Sequence, residues 1–240
     1  HSGRGEAQLM ASLPPIDVPT GATGKGSFDA PSASEPDPAR FEYLLRLGDD
    51  SLILGQRLSE WCGHGPVLEV DLSLANLSLD LIGQATHLLE EAGDGDKLAF
   101  HRDVLDFRNC LLVEQPNGDF ARTIARHLLF STWQHMLFDR LTQSSDRFLL
   151  EFASKAVKEV AYHRELSSEW TIRLGDGTEE STRRMTEGLD WCWRFVPELF
   201  EVDETLQALI DRGVAPDPRV FEEAYRSAIA GVLAEANLAG

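Results

Sequence analysis

Two stretches of this chain carry acids, amides and a histidine at helical spacing. Asp80 and Gln84 lie one turn apart in Ser73 to Gln84, and Glu159, Val160 and His163 follow one another in Ala156 to Glu165. The chemistry such stretches suggest is a carboxylate-bridged pair of irons held inside a helical bundle. That site takes a Glu and a His three residues apart on each of two helices, plus one Glu from each of two others. Here the residue three before His163 is Val160, and the residue three before His87 is Gln84. For His64, His101, His127 and His135 the same position holds Trp61, Leu98, Ile124 and Thr132. The pattern is that of a bundle without its metal ligands.

Each residue has a structural reading beside the chemical one. His163 follows an apolar stripe of Phe152, Ala156 and Val160, which suits a partly buried imidazole held by a hydrogen bond or by Glu159 one turn away. Asp80 and Gln84, if buried together, need partners. The expected ones are His163 or Tyr162 for Gln84, and a base such as Lys158 for Asp80, in a polar network standing where a metal cluster would; the other reading gives Asp80 a catalytic role. The densest polar run is Arg102 to Asn109, followed by Glu114 to Asp119. Arg102 and Arg108 suit phosphates, Phe107 suits stacking, and Asn109 suits an amide or adenine edge, with Asp106 among them. Salt bridges and caps at helix ends explain the same residues. Trp61, Trp133, Trp170, Trp191 and Trp193 read as aromatic core or interface. A Gly-rich phosphate loop, a nucleophile elbow, a C-x-x-C pair and an H-E-x-x-H motif are all absent from the sequence.

Long helices have to position these residues. Apolar periodicity and breakers predict them over about 39–62, 70–92, 119–142, 146–174 and 179–200, with shorter ones near 204–212 and 218–238. Lys97 to Asn109 reads as a short, polar helical stretch. Asp119 suits an N-cap, Gly175 a C-cap, and Pro197 disturbs a last turn. Leucines at 72, 74, 77, 79 and 81 with Ile82 nearly encircle the second helix, which predicts burial on all sides. No period-2 strand appears, so the class is all-α. Residues 1–38 hold six of the 11 prolines and read as a disordered Pro/Gly/Ser-rich tail, with 39–240 the helical domain.

Forty acids against 22 Lys and Arg give a net charge of -18, which argues against nucleic acid and anionic membranes as partners. Cys62, Cys110 and Cys192 are few, odd in number and far apart, as in a reducing cytoplasm. No apolar run is long enough for a membrane span.

Five runs together carry a resemblance: Leu47-Gly-Asp-Asp50, Arg57-Leu-Ser-Glu-Trp-Cys-Gly-His64, Leu79-Asp-Leu-Ile-Gly-Gln-Ala85, Leu112-Val-Glu-Gln-Pro-Asn-Gly118 and Lys158-Glu-Val-Ala-Tyr-His163. From about Tyr43 to Asn237 the chain resembles the C subunits of phenylacetyl-CoA 1,2-epoxidase, a ring-oxygenating complex. Its N-terminal tail is longer than those of the family, and such subunits carry further C-terminal residues beyond the equivalent of Gly240.

The resemblance implies a ferritin-like helical bundle lacking a complete di-iron site, the non-catalytic partner of a metal-bearing A subunit. It implies no cofactor in this chain, di-iron in the A subunit, and electrons from NADPH through a flavin and iron-sulfur reductase subunit. The substrate would be phenylacetyl-CoA, in aerobic phenylacetate degradation. Asp80, Leu81, Gln84, Glu159, Val160 and His163 become vestigial metal-site positions, and Arg102, Asp106, Phe107, Arg108 and Asn109 the candidate contacts to CoA. Two other readings stand beside it. One is a catalytic di-metal oxygenase with irregular ligands from Glu60, Asp80, Glu159 and His163. The other is a stand-alone helical binding module.

Overall fold

Aspartates set where most helices begin. The computed structural model describes residues 37–238, and in it Asp37, Asp119, Asp146 and Asp203 each accept a hydrogen bond from a backbone N–H three residues on. These satisfy donors that the first helical turn leaves unpaired. They start α1 (Pro38–Ser59), α5 (Phe120–Leu141), α6 (Arg147–Gly175) and α8 (Glu204–Asp211). Thr178 and Ser181 form a reciprocal capping box at the start of α7 (Glu179–Trp193). The remaining helices are α2 (Leu68–Ala92), α3 (Gly95–Phe100), α4 (Leu111–Glu114) and α9 (Glu222–Glu235). No strand occurs among the described residues, and the chain is all-α. No helix among them is long and apolar enough to cross a membrane. The expected tail, residues 1–38, lies outside the described residues except for Asp37 and Pro38.

The four long helices form two antiparallel hairpins, α1 with α2 and α5 with α6, and α7 and α9 pack on the second pair. Close approach within the first hairpin depends on Gly48, where an added Cβ would lie 2.8 Å from Leu89 Cδ2. Gly188 plays the same part between α7 and α5, with Arg122 Cα 2.9 Å from the equivalent point. Leu44, Leu54 and Leu58 of α1 meet Leu74, Leu77, Leu81 and Leu88 of α2, and Leu128, Phe138 and Val160 of the second hairpin, in one continuous core.

Several elements differ from expectation. The helix predicted to Phe200 ends at Trp193, and a 3₁₀ turn over Val196–Phe200 follows, with Pro197 in its first turn. Another 3₁₀ turn, Pro218–Phe221, precedes α9. Between Lys97 and Asn109 only α3 and the single turn Val104–Asp106 are helical. The larger correction concerns α2. Leu68, Leu72 and Leu79 are 70%, 56% and 66% exposed, with Ile82 beside them. The helix packs along α1, takes α3 near its C-terminal end and meets α6 only lightly, and among the described residues Leu68, Leu72 and Leu79 are left bare.

Candidate functional site

The polar residues singled out on α2 and α6 do meet, joined by a third helix. Gln84 Nε2 donates to Glu159 Oε2 at 3.0 Å, and Gln84 Oε1 accepts from Gln134 Nε2 of α5 at 3.3 Å. His163 Nε2 lies 3.3 Å from Asp80 Oδ2. With Asp80 ionised, that nitrogen carries the proton and donates it. The expected partners therefore exchange: Asp80 takes His163 rather than Lys158, and Gln84 takes Glu159 and Gln134 rather than His163 or Tyr162. Lys158 is an exposed residue and cannot serve a half-buried aspartate whose neighbour across the interface is an imidazole.

Beneath this layer lie groups the sequence did not single out. His127 of α5 is buried, its ring centroid 5.2 Å from that of His163. Burial, then the neighbouring His163 and Arg126, push the His127 imidazole well below its usual range, so it is neutral at physiological pH. Across the same α5–α6 contact, the hydroxyls of Ser131 and Ser167 face each other at 3.3 Å. The signal was present: His127, Ser131 and Gln134 recur at i, i+4 and i+7, and His163, Ser167 and Thr171 at i, i+4 and i+8, as polar stripes on helices that are otherwise apolar inside.

These donors do not suit a di-iron centre. At the four motif slots, Leu81 and Val160 are fully buried core, Gln84 supplies a neutral amide, and His163 alone offers a nitrogen. Among the described residues no three His, Cys, Asp or Glu side chains converge on a common point. Two irons need bridging anionic carboxylates to balance their charge, and amides do not provide it. Glu60, drawn into the irregular-ligand reading, sits at the end of α1, where it accepts from Asn117 Nδ2 at 2.8 Å and from Arg57 Nη1 at 3.0 Å.

The other motif runs serve the frame around this centre. Arg126 of α5 is buried and donates to Gln115 O and, at 2.6 Å, to Asn117 Oδ1. Asn117 Nδ2 in turn donates to Arg57 O at 2.7 Å, fastening the loop to α1. Gly118 turns the loop with φ +62°, a conformation that favours glycine. The run from Glu114 to Gly118 is thus a structural clasp. The model of a family described as phenylacetic acid catabolic protein matches residues 28–239. The chain belongs to that family. It is 48% identical over 202 residues to the C subunit of the 1,2-phenylacetyl-CoA epoxidase of Escherichia coli (strain K12), covering 82% of each chain, in agreement with the resemblance read from the motifs.

In this member of the phenylacetic acid catabolic family, the residues expected to touch CoA make bonds within the fold. The Arg102 guanidinium forms a two-bond pair with the buried Asp49 (Nη1 to Oδ2 2.9 Å, Nη2 to Oδ1), while its Nε donates to Leu98 O at 2.5 Å. The same guanidinium lies over the Phe107 ring, 4.2 Å from its centroid. Asp106 accepts from Asp103 N at 3.2 Å and closes its own 3₁₀ turn. Arg108 reaches Glu42 at 3.4 Å and Leu105 O at 3.3 Å, and Asn109 donates to Cys110 O and Glu114. Arg102, Phe107 and Asn109 share one groove of about 550 Å³, whereas Arg108 and Asn109 border another of about 360 Å³. The five candidates do not line a single site.

Proposed function

We propose that this chain is a non-catalytic structural subunit of a multicomponent phenylacetyl-CoA epoxidase, acting in phenylacetate degradation in the cytoplasm. The observation that carries the reading is that the buried ligand slots hold Leu81 and Val160, packed in the apolar core, and Gln84, tied into a hydrogen-bonded network. Neutral residues at these slots remove the need to desolvate clustered carboxylates while preserving the packing of the four helices. The name of the Escherichia coli relative supports the assignment to the complex. In this reading the di-iron chemistry sits in an A subunit, and NADPH electrons enter through a flavin and iron-sulfur reductase. This chain's share of phenylacetyl-CoA binding is indirect, because Arg102 is held by Asp49.

The outer face of α2 is the surface for that A subunit. Leu68, Leu72, Leu79 and Ile82 follow i, i+4, i+11 and i+14, the spacing of a helix seam awaiting another helix. Burying it would hold the metal-bearing bundle in one geometry, which is how a protein without chemistry of its own supports catalysis.

Co-expression with a candidate A subunit tests the proposal, reading mass by light scattering and iron by elemental analysis. A stable mixed complex whose iron follows the partner alone is the expected result. Iron bound stoichiometrically by this chain by itself contradicts it and favours the irregular di-metal reading. Neither complex nor iron leaves the stand-alone module.

A further inference from the structure

A second cleft, of about 360 Å³, opens between α1, the middle of α5 and the 3₁₀ turn Val196–Phe200, away from the α2–α6 network. Its size is within the range of small-molecule sites. One wall is apolar and aromatic, made by Trp133, Leu137 and Leu199. The other is acidic. Glu42 and Asp203 pair with Arg46, and Glu42 also meets Arg108, so both arginines of the cleft are already engaged. Asp50 and Glu198 differ: among the described residues no lysine or arginine pairs with either. Each accepts one backbone N–H, from Cys110 at 2.7 Å and Leu111 at 2.8 Å, and the Cys110 thiol is a further, weak donor to Asp50. Asp50 is only 6% exposed, and Tyr43 beside it is 5% exposed with a hydroxyl that has no partner.

A buried carboxylate without a counter-charge is costly, as is a buried hydroxyl without a hydrogen bond. Two acids and a phenol that border one cleft share a remedy: a cationic donor with several N–H groups. We propose that this cleft is a binding subsite for a primary ammonium carried on an apolar stem, with the ammonium donating to Asp50, Glu198 and the Tyr43 hydroxyl oxygen and the stem lying along Trp133, Leu137 and Leu199. A hydrated divalent metal ion suits the cleft less well, because it seeks oxygen ligands on all sides and meets hydrocarbon on one. The subsite stands independently of the epoxidase reading, since it uses none of the residues of the α2–α6 network.

Calorimetric titration of the full chain with n-hexylammonium chloride, against n-hexanol as the uncharged control, tests the subsite. The ammonium should bind once per chain and at least about tenfold more tightly than the alcohol, the difference expected of charge-assisted hydrogen bonds. Asp50→Asn, which keeps the acceptor for Cys110 N–H, should weaken binding at least about tenfold. Glu198→Gln, on a partly exposed turn, should do so as well and covers the case in which the Asp50 variant does not fold. Equal binding of hexanol, undiminished ammonium binding in the variants, or no heat at millimolar ammonium would each overturn the proposal.

Discussion

Gln84 of α2 donates its amide N–H to Glu159 of α6 at 3.0 Å, tying the two helical hairpins together across the bundle. Gln134 donates to the same Gln84 side chain, so the amide is both donor and acceptor between three helices. An amide can do this and a carboxylate cannot, since an ionised acid has no proton to give.

Gln84→Glu should therefore destabilise the chain, not restore a metal site. The new carboxylate would be buried, would lose the bond to Glu159 and would face it as a like charge. About 2–3 kcal/mol should be lost at pH 8 and part of it regained near pH 5, where a protonated acid can donate again. Urea denaturation at the two pH values measures this, and a variant as stable as the parent at pH 8 would contradict it.

Arg126→Met should lower stability by about 3 kcal/mol, because Gln115 O and Asn117 lose a buried charged donor at once. Burial, partly offset by Cys192 and Glu60 nearby, lowers the arginine to about 10, so it stays charged throughout the stable range. Limited proteolysis should reveal the Glu114 to Gly118 loop as the new cleavage site. Cleavage elsewhere would show that Arg126 does not hold the clasp.

Asp50 should give the chain an unusual pH dependence. Burial raises its carboxyl from 3.8 to about 7, against the lowering pull of Cys110, with Glu198 and Asp49 pushing it further up. Between about pH 4 and 7 the folded chain then holds a proton that the unfolded chain has lost. Stability from this group falls as pH rises through that window, by on the order of 4 kcal/mol in all. Asp50→Asn removes the effect, so the variant should gain on the parent as pH rises from 5 to 8. Chemical denaturation across that range checks the sign; a gap that stays constant or narrows refutes it.

Leu72→Lys with Leu79→Lys should leave the isolated chain within about 0.5 kcal/mol of the parent, since both side chains face outward. The same pair should abolish assembly with the A subunit in a pull-down. Retained assembly would move the interface to another face.

Much of the fold was legible because local chemistry decided it. Asp119 and Asp146 mark helix starts by capping, and Pro197 marks a stop by lacking an N–H. What could not be read is what depends on which helix lies across from which. Leucine periodicity cannot tell a core from a partner's surface, so Leu72 and Leu79 read as buried although the described chain leaves them bare. The network was recognised on α2 and α6 but its partners were not. Gln134 and His127 fall on a helix with no motif, and only the docking of α5 brings His127 against His163 of α6 and Gln134 against Gln84 of α2. Arg102 read as a ligand contact because nothing in the sequence points Asp49, more than fifty residues away, at its guanidinium.

The most direct test of a bundle without chemistry of its own is turnover by the reconstituted epoxidase in two complementary forms. In one, this chain carries Asp80→Asn, Glu159→Gln and His163→Gln, and the A subunit is intact. In the other, this chain is intact and the A subunit has lost its metal ligands. With assembly confirmed by light scattering, epoxidation of phenylacetyl-CoA should persist in the first form and vanish in the second. Turnover lost in the first, or surviving in the second, would place chemistry in this chain and contradict the account.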